Sequence, residues 1–219
     1  LTNEIIKRKP KTLSLIEKDY LLAKKLENKF SKQKNIKIYN ADILKFNIEK
    51  INKKNCVIFG NLPYNISSQI LVKIIKIKGD FNYIKDIIFM FQKELGEKII
   101  GNYPSENYGR LSILSNYQLN IKDKFLVSPN CFKPKPKVTS MVIHFQPKVK
   151  KNCRIKDINN LEKITNILFS NKRKMINKNI KKIFRNDQIK KINNLNINLR
   201  PSEISPKIYY KITEIFEKN

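Results

Sequence analysis

The 219 residues include 46 Lys and Arg against 18 Asp and Glu, which gives a formal net charge of +28 at pH 7. Apolar residues make up 41% and charged residues 29%, with only 5 Gly and 9 Pro, and this composition excludes intrinsic disorder and a fibrous repeat. The length is sufficient for one α/β domain with a buried core and a small additional unit.

The positive charge indicates an anionic partner. It attracts phosphates, so nucleic acid is the first partner to consider and an anionic membrane surface the second. The chain is also rich in Asn and Ile, and AT-rich codons encode Lys, Asn and Ile. Base composition is therefore an alternative source of part of the lysine excess, while the sign of the charge still favours nucleic acid.

Cysteine and histidine usage excludes several classes of site. Cys56, Cys131 and Cys153 are far apart and form no CxxC pair, so neither a zinc ribbon nor a disulfide framework is expected. The single histidine, His144, lies in an alternating run typical of a strand, which argues against a metal site and a Ser-His-Asp triad. No signal peptide and no run of 18 apolar residues are visible, so we expect a cytoplasmic protein without membrane contact.

Up to about residue 147, short apolar runs alternate with amphipathic stretches. Strands are predicted over Thr12–Glu17, Ile36–Tyr39, Cys56–Gly60 and Ile84–Phe91, the third of them buried on both faces. Helices are predicted over residues 19–30, 67–77 and 110–117. The helix at 19–30 has Leu21, Leu22, Leu26 and Phe30 on one side, and the helix at 67–77 has serine caps. Residues 121–127 and 138–145 flank a Pro-rich loop and could pair as a hairpin. The alternation predicts a doubly wound α/β sheet with ligands at the carboxyl ends of its strands.

The sequence changes character at Gln146, where Pro147 and a lysine cluster indicate a linker. Beyond it, residues 161–184 predict a helical stretch with an apolar stripe that includes Met175, and the last helix is predicted to start at Ser205 and Pro206. We therefore expect a first domain over residues 1–147 and a small all-α domain over residues 148–219.

The motif GNLPYNIS follows the third predicted strand directly. The exocyclic amine of adenine is a poor nucleophile because its lone pair is delocalised into the ring. The side-chain carbonyl of Asn61 and the main-chain carbonyl of Leu62 could both accept hydrogens of that amine and so free the lone pair. Pro63 stiffens the loop, and Tyr64 offers a ring on which an extruded base can stack. The alternative interpretation is a strand-ending turn with a packed tyrosine.

The chain resembles the ribosomal RNA adenine dimethyltransferases over essentially its whole length. Besides VIFGNLPYNIS, the resemblance rests on FQKELGEKI (Phe91–Ile99), YGRLSIL (Tyr108–Leu114), FKPKPKVTS (Phe132–Ser140), the KRKMINKNIK helix and LRPSEIS (Leu199–Ser205). It implies a Rossmann-like methyltransferase sheet with a small all-α C-terminal domain, S-adenosylmethionine as methyl donor, and dimethylation of two adjacent adenines near the 3′ end of small-subunit rRNA.

The resemblance also implies roles for individual residues. Glu17 would accept hydrogen bonds from the donor's ribose and Asp42 from its adenine amine, while Phe132 would close on the target base opposite Tyr64. Further donor contacts are implied for Leu1, Thr2 and Asn61, and rRNA contacts for Lys172, Arg173, Lys174 and Lys178. The family has a first strand and a GxGxG loop just before a Leu-Thr pair, and this sequence starts at Leu1 and Thr2. We therefore expect the first strand and that loop to be missing, which puts donor binding in question.

Two other functions stay open at this point. A large-subunit rRNA adenine methyltransferase of the antibiotic-resistance type shares NLPY and the FxPKPKV loop. A non-enzymatic RNA-binding factor for ribosome assembly or transcription could keep the same fold. We expect a monomer without a catalytic metal, acting on a pre-ribosomal small subunit.

Overall fold

The first two thirds of the chain combine strands with helices, and the last third is helical. The computed structural model describes residues 1–51, 55–77, 83–148 and 155–218. The helices are α1 (Thr2–Lys7), α2 (Tyr20–Phe30), α3 (Ser67–Ile75), α4 (Lys93–Ile100), α5 (Arg110–Gln118), α6 (Ile158–Leu168), α7 (Asn177–Ile180), α8 (Asn186–Lys190) and α9 (Pro206–Phe216). The strands are β1 (Leu13–Glu17), β2 (Ile36–Asn40), β3 (Cys56–Asn61), β4 (Ile84–Gln92), β5 (Leu119–Val127) and β6 (Ser140–Pro147).

The strands form two sheets. β1 and β2 pair in parallel, so Glu17 lies opposite Asn40 at their carboxyl ends. The second sheet has the order β3-β4-β6-β5, in which β3 and β4 are parallel and β6 is antiparallel to both of its neighbours. The predicted α/β class is confirmed, and the predicted hairpin is present as the β5–β6 pair.

One face of β3 is open. Val57 and Phe59 are 40% and 44% exposed, so the prediction that this strand is buried on both faces was wrong. Val57, Phe59 and Asn61 alternate along the strand and therefore share one face, which the described parts of the chain leave uncovered. Within those parts β3 also pairs only with β4, so it is an edge strand. Its carboxyl end is thereby the corner of the second sheet.

The face of α2 that packs against β1 and β2 differs from the one that the sequence predicted. Leu21 and Leu22 are 67% and 49% exposed, whereas Ala23 and Phe30 are buried. Ala23, the half-buried Leu26 and Phe30 are spaced three and four residues apart, so they too share one helix face, and that face lies against β1 and β2. By contrast, the predicted core stripe of α3 is confirmed, since Ile70, Leu71, Ile74 and Ile75 are all buried.

The helical last third joins the core of the sheet region. Residues from Ile48 to Ile212 belong to one buried apolar cluster, in which α6 packs against α5 and α9. Tyrosine hydroxyls add a polar seam: Tyr103 donates to the carbonyl of Glu203 (3.0 Å) and Tyr108 to that of Ile204 (2.8 Å). Burial raises the pKa of Tyr108, so it stays a protonated donor.

The division at residues 147 and 148 remains a prediction, and residues 149–154, with Cys153, lie outside the described parts.

The helical stretch predicted over residues 161–184 is broken. α6 ends at Leu168, a 3-10 turn covers Phe169–Asn171, and α7 begins only at Asn177. The backbone between them is held by a long-range contact, because the N–H of Ile176 donates to the carbonyl of Leu199 (3.0 Å). Met175, predicted on the apolar stripe, is consequently 48% exposed.

Two features of the described residues bear on the function classes considered above. No helix among the described residues has the length and apolar character needed to cross a membrane. Within residues 1–51, 55–77, 83–148 and 155–218, no group of three or more His, Cys, Asp or Glu side chains could hold a metal ion.

Candidate active site

The loop after β3 is shaped by a close contact at its first residue. A Cβ on Gly60 would lie 2.5 Å from Cδ2 of Leu62 and 2.8 Å from Cδ1 of Phe89, so only glycine lets Leu62 fold back against the sheet. Asn61, the last residue of β3, is exposed at the carboxyl end of the strand. The loop then turns through Pro63, whose carbonyl accepts from the N–H of Ile66 (3.1 Å). Glycine thus fixes the loop while leaving the Asn61 amide accessible.

Tyr64 is held at both its backbone and its hydroxyl. The hydroxyl of Ser67 donates to the carbonyl of Tyr64 (3.0 Å), and the Tyr64 hydroxyl is 2.7 Å from Oγ of Ser140. Both serines are fully buried. The sequence predicted that Ser67 caps α3, but its hydroxyl anchors the loop instead. Ser140 connects the loop to the start of β6.

Phe132 lies in the loop between β5 and β6, directly after the 3-10 turn Pro129–Cys131, and it is half-buried. The ring contacts of the described residues do not include a pair of Phe132 with Tyr64. The two loops are nevertheless linked, since the chain from Phe132 leads to Ser140, the partner of Tyr64.

The two acidic residues predicted to bind the donor lie at neighbouring strand ends. Glu17 is the last residue of β1, and its Oε1 accepts from the N–H of Asp19 (2.9 Å). Asn40, opposite it on β2, donates its amide to the carbonyls of Glu17 and Lys18 (both 3.1 Å). This network fixes the backbone at the end of β1 and orients the Glu17 side chain through one oxygen.

Asp42 follows the end of β2 and is held as a carboxylate. The hydrogen bond from Lys18 (2.9 Å) and a second one from the N–H of Leu44 (2.9 Å) hold its pKa below the ordinary value of 3.8. Leu1 and Thr2 lie at the start of α1, where Leu1 is 63% exposed and Thr2 is half-buried. Among the described residues, no hydrogen bond or ion pair joins Leu1 or Thr2 to the side chain of Glu17 or Asp42.

The four basic residues predicted to contact rRNA are all exposed. Lys172, Arg173 and Lys174 lie in the turn between the 3-10 segment and α7, while Lys178 lies on α7 itself. The predicted helical face was therefore wrong for Lys172, Arg173 and Lys174, which lie in a turn, whereas Lys178 is on a helix.

Comparison with known protein families gives a match over almost the whole chain. A model of the family described as ribosomal RNA adenine dimethylase matches residues 1–218. The chain belongs to the ribosomal RNA adenine dimethylase family. It is accordingly an enzyme that dimethylates adenines of rRNA and uses S-adenosylmethionine as methyl donor.

Individual relatives extend this result. A protein of Pelagibacter ubique (strain HTCC1062) named ribosomal RNA small subunit methyltransferase A is 42% identical over 218 residues, which cover 99% of this chain and 82% of the relative. A protein of the same name from Colwellia psychrerythraea is 34% identical over 221 residues, which cover 100% of this chain and 72% of that relative.

Solved structures agree on the fold. A dimethyladenosine transferase of Plasmodium falciparum has a TM-score of 0.72 at 22% identity, with 95% of this chain and 82% of that chain covered. The 23S rRNA methyltransferase ErmE has a TM-score of 0.62 at 20% identity, with 94% of this chain and 82% of that chain covered.

The residues present fit the methyl donor of the enzyme. Carboxylates at the ends of adjacent parallel strands are suited to accept hydrogen bonds from ribose hydroxyls and an adenine amine, and the lowered pKa of Asp42 keeps that carboxylate ionised. Ser140 was missed as a site residue because it is 76 positions from Tyr64 in the chain. Its presence in the motif FKPKPKVTS was the only signal in the sequence.

Proposed function

We propose that this enzyme dimethylates two adjacent adenines near the 3′ end of small-subunit rRNA. The proposal is supported by the names of its relatives, which specify the small subunit at 42% and 34% identity. The 23S rRNA methyltransferase is less similar, at 20% identity, and shares the fold alone. The substrate in this proposal is a pre-ribosomal small subunit in the cytoplasm, and the enzyme acts as a monomer.

Asn61 and Leu62 orient the target amine in this proposal. The Asn61 side-chain carbonyl and the Leu62 main-chain carbonyl each accept one hydrogen of the adenine amine, which draws its lone pair out of conjugation with the ring. Pro63 limits the freedom of the loop. The rings of Tyr64 and Phe132 hold the extruded base by stacking, which contributes about 1 to 3 kcal/mol per base.

The donor site is formed by Glu17, Asp42, Asn61, Leu1 and Thr2. S-adenosylmethionine supplies the electrophilic methyl group when it is bound. Glu17 accepts hydrogen bonds from the ribose hydroxyls and Asp42 from the adenine amine of the donor. Since Asp42 stays ionised well into the acidic range, it remains an acceptor at every physiological pH.

The helical unit provides rRNA contacts. We place it at residues 148–219, after a methyltransferase domain of residues 1–147. The side chains of Lys172, Arg173, Lys174 and Lys178 are exposed and bind phosphates in this proposal. Such contacts make the affinity fall steeply with salt.

The observation that carries the proposal is the Asn61 amide, exposed at the end of β3 beside a tyrosine fixed by Ser140. The test is transfer of labelled methyl groups to small ribosomal subunits that lack the modification. The parent enzyme should label two neighbouring 3′-end adenines. Asn61→Ala should lower the rate by about 100-fold or more while changing RNA affinity less than about twofold. Asn65→Ala, an exposed asparagine of the same loop, is the matched control.

The other outcomes separate the alternatives. Label on large-subunit rRNA would assign the enzyme to the antibiotic-resistance type. Salt-sensitive binding of small subunits without any label would indicate an RNA-binding factor. An Asn61→Ala variant as active as Asn65→Ala would remove Asn61 from the catalytic mechanism.

A further inference from the structure

A groove of about 810 Å³ runs along α3. Its walls are the loop after β2, the beginning of α5 and one residue of α6, Glu162. None of the residues placed above in the catalytic, donor or RNA-binding sets lines it. Its volume lies in the range of ligand-binding clefts, which is roughly 300–1,000 Å³.

One end of the groove adjoins both halves of the candidate active site. Leu44, which lines the groove, donates its N–H to the Asp42 carboxylate (2.9 Å). Ser68, also in the lining, follows Ser67, whose hydroxyl holds the Tyr64 carbonyl. From there the groove follows α3, whose nine residues span about 14 Å, the length of about four stacked nucleotides.

On a chain of net charge +28, a positive surface is not informative by itself. What distinguishes the groove is whether the lysines in its lining have ion-pair partners. Lys76 is neutralised by Glu162 (2.7 Å). Lys73 donates to the uncharged carbonyl of Leu44 (2.9 Å). Lys45 is in no ion pair within 4 Å among the described residues, although it interacts with the Asp42 carboxylate at longer range. The lining also contains Glu49, so its four Lys and Arg side chains exceed its two Glu side chains by two, and the groove keeps a net positive charge.

Arg110 supplies a second, independent observation. Its Nε is buried, lacks a hydrogen-bond partner within the described part of the chain, and belongs to a side chain that lines the groove. A buried donor without a partner is costly, so an acceptor from a bound molecule would stabilise this arrangement. Carboxylate and phosphate oxygens are the acceptors that a guanidinium group binds best, and RNA supplies phosphates.

The rest of the lining combines apolar side chains, including Phe46, Val72 and Leu111, with the polar side chains of Asn47 and Gln69. Cations beside apolar and aromatic side chains are the combination that binds single-stranded nucleic acid, because phosphates meet the charges and bases meet the apolar surface. A free phosphate would use only the cations.

We infer that this groove binds the single-stranded rRNA segment next to the target adenines, with Lys45, Lys73 and Arg110 at its phosphates. The inference rests on the proposed function for the position of the target base. The groove would then guide the strand from the loop after β3 towards α6.

The test is equilibrium binding, without methyl donor, of two fluorescent RNAs to the full chain. Both contain the same hairpin: one carries in addition the two target adenines and their single-stranded neighbours as a flank, and the other is the hairpin alone. The groove variant is Lys45→Gln with Lys73→Gln. The matched control is Lys25→Gln with Lys32→Gln, two exposed lysines on and just after α2 that remove the same charge outside the groove.

We expect the groove variant to bind the flanked RNA roughly three- to tenfold more weakly than the control does. Its salt slope should be shallower by about 1.4, which is about 0.7 for each lost phosphate contact with a single strand. The hairpin alone should bind both variants equally. Equal losses for groove variant and control, or equal losses with both RNAs, would refute the inference.

Two further results separate the possible explanations. If millimolar adenosine monophosphate or inorganic phosphate displaced the flanked RNA from the parent but not from the groove variant, the groove would bind a small phosphate ligand and the RNA inference would be wrong. If the parent labels the 3′-end adenines while the groove variant behaves like the control, only the groove inference fails. Label at another rRNA position contradicts the proposed function, whatever the groove variant does.

Discussion

Removal of the Ser140 hydroxyl should loosen Tyr64 and slow methyl transfer. The Tyr64 hydroxyl is 2.7 Å from Oγ of Ser140, and Ser140 is fully buried. A hydrogen bond of this kind contributes about 0.5 to 1.5 kcal/mol net, and a buried partner left unpaired adds to the cost. At about 1.4 kcal/mol for each factor of ten, Ser140→Ala should lower kcat/KM by about two- to tenfold.

The assay is a double-mutant cycle on methyl transfer with Ser140→Ala, Tyr64→Phe and the double variant. If the two hydroxyls act as a pair, the double variant should be no worse than the poorer single variant, with a coupling energy of about 0.5 kcal/mol or more. Thermal unfolding of all three proteins provides the control for stability. Additive effects on kcat/KM would show that Ser140 does not position Tyr64.

Three other changes test features described above. Gly60→Ala should destabilise the fold by about 1 to 3 kcal/mol, because its Cβ would meet Leu62 at 2.5 Å; an unchanged thermal midpoint would show that the loop relaxes freely. Glu217→Gln should cost about 1 kcal/mol in denaturant unfolding, because the carboxylate accepts two main-chain N–H groups just before and at the start of α6; a Glu217→Asp variant with full stability would contradict this. Burial raises the pKa of Asp86, but hydrogen bonds, first of all the one with His144, outweigh this effect and leave the pKa below 3.8. The ionised carboxylate therefore adds stability that is present above that pH and is lost as the pH falls through the lowered pKa. The stability difference between parent and Asp86→Asn should shrink below about pH 4, and a constant difference down to pH 2 would refute the assignment.

The strands and the site loop were predictable because their signals are local. An apolar run followed directly by Gly60 and Asn61 specifies a strand and its end, and alternation specifies the β5–β6 hairpin. The burial of β3 was not predictable in the same way. An apolar run is compatible with a strand that is covered on one face or on both, and the outcome depends on which other elements pack on those faces.

The faces of helices and the ends of long helical patterns were less predictable. Leu21 and Ala23 both belong to possible apolar stripes on α2, and only the position of β1 and β2 decides between them. In the helical third, the contact of Ile176 with Leu199 overrides a periodic pattern that predicts an unbroken helical stretch. The bond between Tyr64 and Ser140 joins residues 76 positions apart, and no periodicity carries information over that distance.

The tyrosine seam has a consequence for which substitutions the protein tolerates. Tyr103 and Tyr108 bond to the carbonyls of Glu203 and Ile204, and Tyr209 bonds to that of Pro201 (2.7 Å). Every residue has a main-chain carbonyl whatever its side chain, so these hydroxyls bind the backbone of residues 201–204 independently of the side chains there. The exposed Ser202 can therefore vary without loosening the attachment of the helical unit. By contrast, Tyr103→Phe or Tyr108→Phe removes one of the bonds that attach it, while the Tyr209 bond lies within the unit.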